Sequence, residues 1–144
     1  MQEILQNIPA HPVIERLSAA AGVIAMAGGA STVWAVDPTT IHFLPVCPLY
    51  SLTGFACPGC GLTRGFHALF HGDVLTALDF NALIPIWTVI FGYLFVSILL
   101  TAVRGRGLPW KFFSPSMLIG LLVLLLVFGV LRNLPYYPFT ILFP

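Results

Sequence analysis

The sequence predicts an all-α integral membrane protein: three transmembrane helices, plus one or two short interfacial or re-entrant helices in the loop between the first two. Hydrophobic residues make up 58% of the 144-residue chain and charged residues only 8%, with a mean hydropathy of +0.97. That balance lies outside the range of soluble domains. Three apolar runs approach or reach the roughly 20 helical residues that a hydrocarbon core requires. A chain of this length has room for one membrane domain, residues 1 to 144, and no second one.

The first span runs from Leu17 to Val36 without a charge. Small residues recur four apart along it, with Ala21, Ala25 and Gly29 on one stripe and Gly22, Met26 and Ala30 on the next. Such a face lets a second helix approach closely, so this span is expected to pack against a partner helix. Its apolar run exceeds the roughly 7 to 15 residues of a signal-peptide core, and no Ala-x-Ala site closes it, so it reads as a retained helix.

The second span covers Ala82 to Val103, with Asn81 as N-cap and Pro85 near the first turn, where a missing N–H costs little. A basic loop from Arg104 to Lys111 follows, with Trp110 at the interface. The third span opens with Ser114 as N-cap and Pro115 at the first helical position, and runs through Leu131. Arg132 ends it. The tail from Asn133 to Phe139 combines prolines with tyrosines and reads as a belt at the membrane surface.

Orientation follows from the cationic residues, which are retained on the cytoplasmic side. The basic loop holds three of the six Lys and Arg, and the long segment between the first two spans holds only Arg64 beside Asp37, Asp73 and Asp79. The N-terminus is therefore placed in the cytoplasm and the loop of residues 37–81 outside it. A formal net charge of +1, with no basic cluster among aromatics, excludes a nucleic-acid interface.

Within that loop, Leu62, Phe66, Leu69 and Phe70 fall at helical spacing before His71-Gly72-Asp73 breaks the pattern. Asp73 can cap a second short helix ending near Phe80. Arg64, His67 and His71 share one face of the first short helix. An arginine on so apolar an element needs a partner, for which Asp73 and Asp79 are the candidates, or an anion. His11 and His42 read as interfacial residues with no special role. No Ser-His-Asp or paired-carboxylate arrangement is present, so no catalytic residue is assigned.

The chemistry concentrates in Cys57-Pro58-Gly59-Cys60-Gly61. Proline fixes one dihedral of this turn and Gly61 can take a positive φ, so two thiolates can converge on one metal, as in one half of a zinc ribbon. The second half is missing, and the remaining ligands would come from Cys47, His67 or His71, the two histidines standing at i and i+4. A second reading is an exchangeable disulfide with Cys47 as resolving thiol. A third is structural: an extracytoplasmic disulfide, or small buried thiols.

The run from Cys47 to Arg64, followed by His71-Gly72-Asp73, Asn81 and the Arg132-Asn133 ending of the last span, resembles a bacterial domain-of-unknown-function family of small integral membrane proteins. Its signature is Cys-Pro-x-Cys-Gly-x-Thr-Arg, matched here at Cys57, Pro58, Cys60, Gly61, Thr63 and Arg64, with Cys47 upstream. The resemblance covers residues 45 to 135 and implies a multi-pass protein of the bacterial inner membrane, without implying an activity. His67 is not part of that pattern.

The expected function is that of a non-catalytic accessory or scaffolding subunit of a larger membrane assembly, its cysteine loop a structural clamp. The bilayer and other membrane subunits, or further copies of the chain, are its expected partners. The alternative is a protein that binds a transition metal such as zinc, or exchanges thiols, through Cys57 and Cys60.

Overall fold

The computed structural model describes residues 12–38, 47–109 and 113–142. His11, His42, Trp110 and Lys111 lie outside them. The regular elements among the described residues are all helical: α1 (Pro12–Ala35), α2 (Pro48–Thr53), α3 (Leu62–Phe70), α4 (Val74–Phe80), α5 (Ile84–Arg104), α6 (Pro115–Leu131) and a closing 3₁₀ turn, Phe139–Leu142.

Two helices are long and apolar enough to cross a membrane, Val13–Ala35 and Ile84–Arg104; α6, at 17 residues, is an apolar helix of shorter length. α1 begins earlier than the uncharged run suggests, because Pro12 suits a first turn and Glu15 sits well near a helix N-terminus. The capping expectations hold at Ser114 and Asp73, whereas Asn81, expected as the N-cap of the second span, is the C-cap of α4, and α5 starts three residues later at Ile84. Ser114 Oγ accepts from Met117 N–H at 3.3 Å, and Arg132 is the C-cap of α6. Asn81 Oδ1 accepts from Leu83 N–H at 2.9 Å at the entrance to α5. Asp73 Oδ1 accepts from Thr76 N–H at 3.1 Å and starts α4.

The chain forms two compact units. One joins α1 up to Gly29 with α5 from Val89 and the loop after it to Pro109. In it, Arg16 donates from Nε to the carbonyl of Ala102 at 3.2 Å and from Nη2 to that of Val103 at 2.6 Å, covering carbonyls that the end of α5 leaves without helical partners. Gly105, at φ 71°, turns the chain back. Leu108 N–H then reaches Ser97 Oγ at 3.1 Å, and Tyr93 hydroxyl donates to the Pro109 carbonyl. Of the two small-residue stripes on α1, the one through Gly22 faces Ile98 of α5, while Ala21, Ala25 and Gly29 are exposed.

The second unit holds the remainder, with a small core of Ala68, Ala77 and Ile84 flanked by Leu62, Phe66 and Leu69. Its tightness is legible at Gly65: a Cβ there would stand 2.7 Å from Ile84 Cδ1 and 3.1 Å from the Ala77 carbonyl oxygen. The expected pair of short helices in the loop is present as α3 and α4. A further one, α2, precedes them, started by Pro48 at its first position and stopped by Gly54 at φ 73°.

Candidate metal centre

Cys57-Pro58-Gly59-Cys60 is a tight turn closed by Cys60 N–H donating to the Cys57 carbonyl at 3.0 Å, and Gly61 at φ 80° leads from it into α3. Leu62 N–H serves the Gly59 carbonyl at 3.1 Å, while those of Pro58 and Cys60 have no backbone donor among the described residues. Three side chains from elsewhere reach the turn. Arg132 Nη1 donates to the carbonyls of Cys57 at 2.8 Å and Cys60 at 3.2 Å. Asn81 Nδ2 donates to those of Pro58 at 2.9 Å and Cys60 at 3.1 Å. Asn133 pairs both ways with Ala56, accepting its N–H at 2.8 Å and donating to its carbonyl at 2.8 Å, and donates to Gly129 at 2.7 Å. α6 can come this close because residue 129 is glycine: a Cβ there would stand 3.1 Å from Pro58 Cγ.

The clamp is buried. Asn81 is 1% exposed and Arg132 0%. The Arg132 guanidinium lies 5.0 Å from the centroid of Phe128, and its Nε and Nη2 atoms are buried with no hydrogen-bond partner among the described residues. These two adjacent N–H groups form the side-on fork with which arginine grips anions. A buried guanidinium half-paired in this way leaves positive charge looking for a negative neighbour.

Beside it the three thiols meet. The Sγ atoms of Cys47, Cys57 and Cys60 lie within 4.8 Å of one another, none in a disulfide, with Cys60 and Cys57 at 3.2 Å. Cys57 N–H also points at Cys60 Sγ, 3.2 Å away. Their acidities diverge. The amide of Tyr50, and then the Cys57 thiol, pull the Cys47 thiol down to about 7. Burial, and then the Cys57 thiol, push Cys60 up to about 12.

Of the residues singled out from the sequence, the fold brings Cys47, Cys57 and Cys60 together, and neither histidine joins them among the described residues. His67 and His71 each direct Nδ1 at a backbone carbonyl instead. Arg64 is exposed, and Asp73, one of the two carboxylates expected to meet it, is turned to Thr76, whose hydroxyl and amide hold its carboxyl below the usual range. Sequence reasoning took Arg132 and Asn133 for the end of a span. What was legible was an arginine and an asparagine at the end of an apolar helix, where polar groups require partners.

Residues 47–95 match the family model described as Protein of unknown function (DUF2752). No curated protein and no solved structure matches the chain. The matched segment contains all three cysteines and Asn81, while Arg132 and Asn133 reach the same turn from beyond it.

Two outcomes are expected. Asn133→Ala removes the partners of both the N–H and the carbonyl of Ala56, and should lower stability by about 2 kcal/mol or more, read by thermal unfolding in detergent. Iodoacetamide should modify Cys47 well before Cys60 at neutral pH. Below about pH 7 the Cys47 rate should fall with its thiolate fraction, toward tenfold per pH unit, as measured by peptide mass spectrometry.

Proposed function

We propose that this chain is a membrane protein with three crossing helices whose cysteine loop is closed by a transition metal, zinc by preference, held by Cys47, Cys57 and Cys60. The observation that carries the reading is the mutual approach of three free thiols within 4.8 Å. Tetrahedral zinc with bonds of about 2.3 Å separates its sulfurs by roughly 3.8 Å. The trio reaches that spacing by shifts of an ångström or less. Three thiolates and a divalent ion carry one net negative charge, which the adjacent Arg132 cation balances in a buried setting. A fourth coordination position remains for water or a partner's side chain.

The membrane reading is supported by exposure. The candidate spans α1 and α5 are 0% and 6% buried over their most apolar windows, and α6 turns Ile119, Leu122, Leu126 and Val130 outward. A core helix of a soluble protein would bury such faces, whereas a bilayer leaves them in their preferred medium. Within that membrane the chain acts as a non-catalytic accessory or scaffolding subunit, its clamp fixing the loop as a docking element. The N-terminus lies in the cytoplasm and the cysteine loop outside.

Thiol exchange is the second reading, favoured by the 3.2 Å contact of Cys57 and Cys60 and by the low thiol of Cys47. Elemental analysis and alkylation mass shifts on protein purified anaerobically separate the two. The expected result is about one metal per chain, with all three cysteines protected until a chelator is added, and metal lost in Cys57→Ser without loss of membrane insertion. A metal-free Cys57 to Cys60 disulfide that mild reductant opens would sink the metal reading. Native mass measurement in mild detergent should recover complexes with other membrane subunits or further copies; a bare monomer, with no partner recovered from native membranes, counts against the accessory role.

A further inference from the structure

His67 and His71, left out of the thiol site, form an arrangement of their own. They stand one turn apart on α3, their ring centroids 4.4 Å apart and tilted by 40°. His67 Nδ1 meets the Val33 carbonyl at 2.7 Å, and His71 Nδ1 meets the His67 carbonyl at 2.9 Å. A carbonyl oxygen only accepts, so each Nδ1 bears the proton and each neutral ring keeps its lone pair on Nε2. An imidazole tied to a backbone carbonyl through one nitrogen is the supporting arrangement found behind metal-ligating histidines.

The helix ends beside the pair favour a cation, against the like charge of Arg64 on the same face of α3. Val33 lies in the last turn of α1 and His67 in the last turn of α3, so the carbonyl ends of two helices meet at the pair, where positive charge is stabilised. Trp34 stacks on His71 with centroids 5.9 Å apart and planes 6° from parallel, holding the outer ring in place. His67 is half-buried and His71 exposed, so one ligand is fixed within the fold and the other is open to solvent.

We infer that His67 and His71 form a second metal site, separate from the cysteines, which takes a divalent ion of imidazole preference, Cu²⁺ above Zn²⁺, through the two Nε2 atoms. Nitrogen donors at i and i+4 suit these ions, and copper heads the affinity order for such ligands. The thiols would select a softer ion by a different donor type, so the two sites load independently.

The experiment uses the full chain in detergent with all three cysteines alkylated beforehand, so that no thiol binds or reduces copper. Titration with Cu²⁺ should give saturable quenching of tryptophan emission, because the ion would sit beside the ring stacked on Trp34. Electron paramagnetic resonance should show splitting from two imidazole nitrogens. His67→Gln and His71→Gln should each weaken binding by roughly tenfold or more, since even outer partners of metal ligands cost that much. His71 is exposed, so its variant should keep the native circular dichroism and decides the matter if His67→Gln does not fold. No copper uptake by the alkylated protein, wild-type affinity in His71→Gln, or a quench that Trp34→Phe leaves unchanged would each overturn the site. Because the thiols are blocked throughout, none of these results bears on the cysteine centre.

Discussion

The cysteine centre depends on how four backbone carbonyls are satisfied. Ala56, Cys57, Pro58 and Cys60 lie in a turn that neither a helix nor a sheet can serve, and Pro58 has no N–H to offer in return. In an apolar molecule a carbonyl left unpaired costs most of its desolvation. Asn81, Arg132 and Asn133 provide the donors that secondary structure provides elsewhere. The turn is thereby fixed to the entrance of α5 and the end of α6 by side chains whose sequence distance from it exceeds twenty residues.

That clamp gives the thiols their contrast. Cys60 sits against the buried half of the turn, where taking a thiolate out of water raises the cost of ionisation. Cys47 begins α2, where an amide N–H from the first turn can support a thiolate. One thiol ready to ionise and one reluctant to do so fit the proposed metal centre, in which the ion would displace the proton of Cys60. The buried Arg132 cation fits the same picture, since its unpaired fork has a use only where negative charge gathers.

The rest of the fold follows from the scarcity of polar groups. Helix ends are closed by the donors and acceptors the chain possesses, and several of its few polar side chains are found there. Arg16 covers the end of α5, Asp73 opens α4, Ser114 opens α6, and His67 reaches the last turn of α1. Apolar faces are left outward on α1, α5 and α6, as the proposed membrane location requires. The core that does form around Gly65, Ala77 and Ile84 is accordingly small, and it serves mainly to hold α3 against α4 and the start of α5.

The sequence by itself determined the three long helices, α3 and α4, the caps at Ser114 and Asp73, and the place of the chemistry, but not α2. Apolar runs, Ser114-Pro115, Asn81, Asp73 and Cys57-Pro58-Gly59-Cys60-Gly61 act within a few residues of one another, so their local physics can be read directly. It could not choose the ligand set. His67 and His71 have the spacing of metal ligands, yet His67 meets the Val33 carbonyl at the end of α1 and His71 meets the His67 carbonyl on its own helix, and neither joins the thiols. Nor could it foresee that Arg132 and Asn133 return to the turn from some 75 residues away, because nothing in the local pattern says which distant carbonyls a buried cation or amide will meet. Tertiary structure decided that pairing, since only the folded chain brings unsatisfied donors and unsatisfied acceptors into the same dry space.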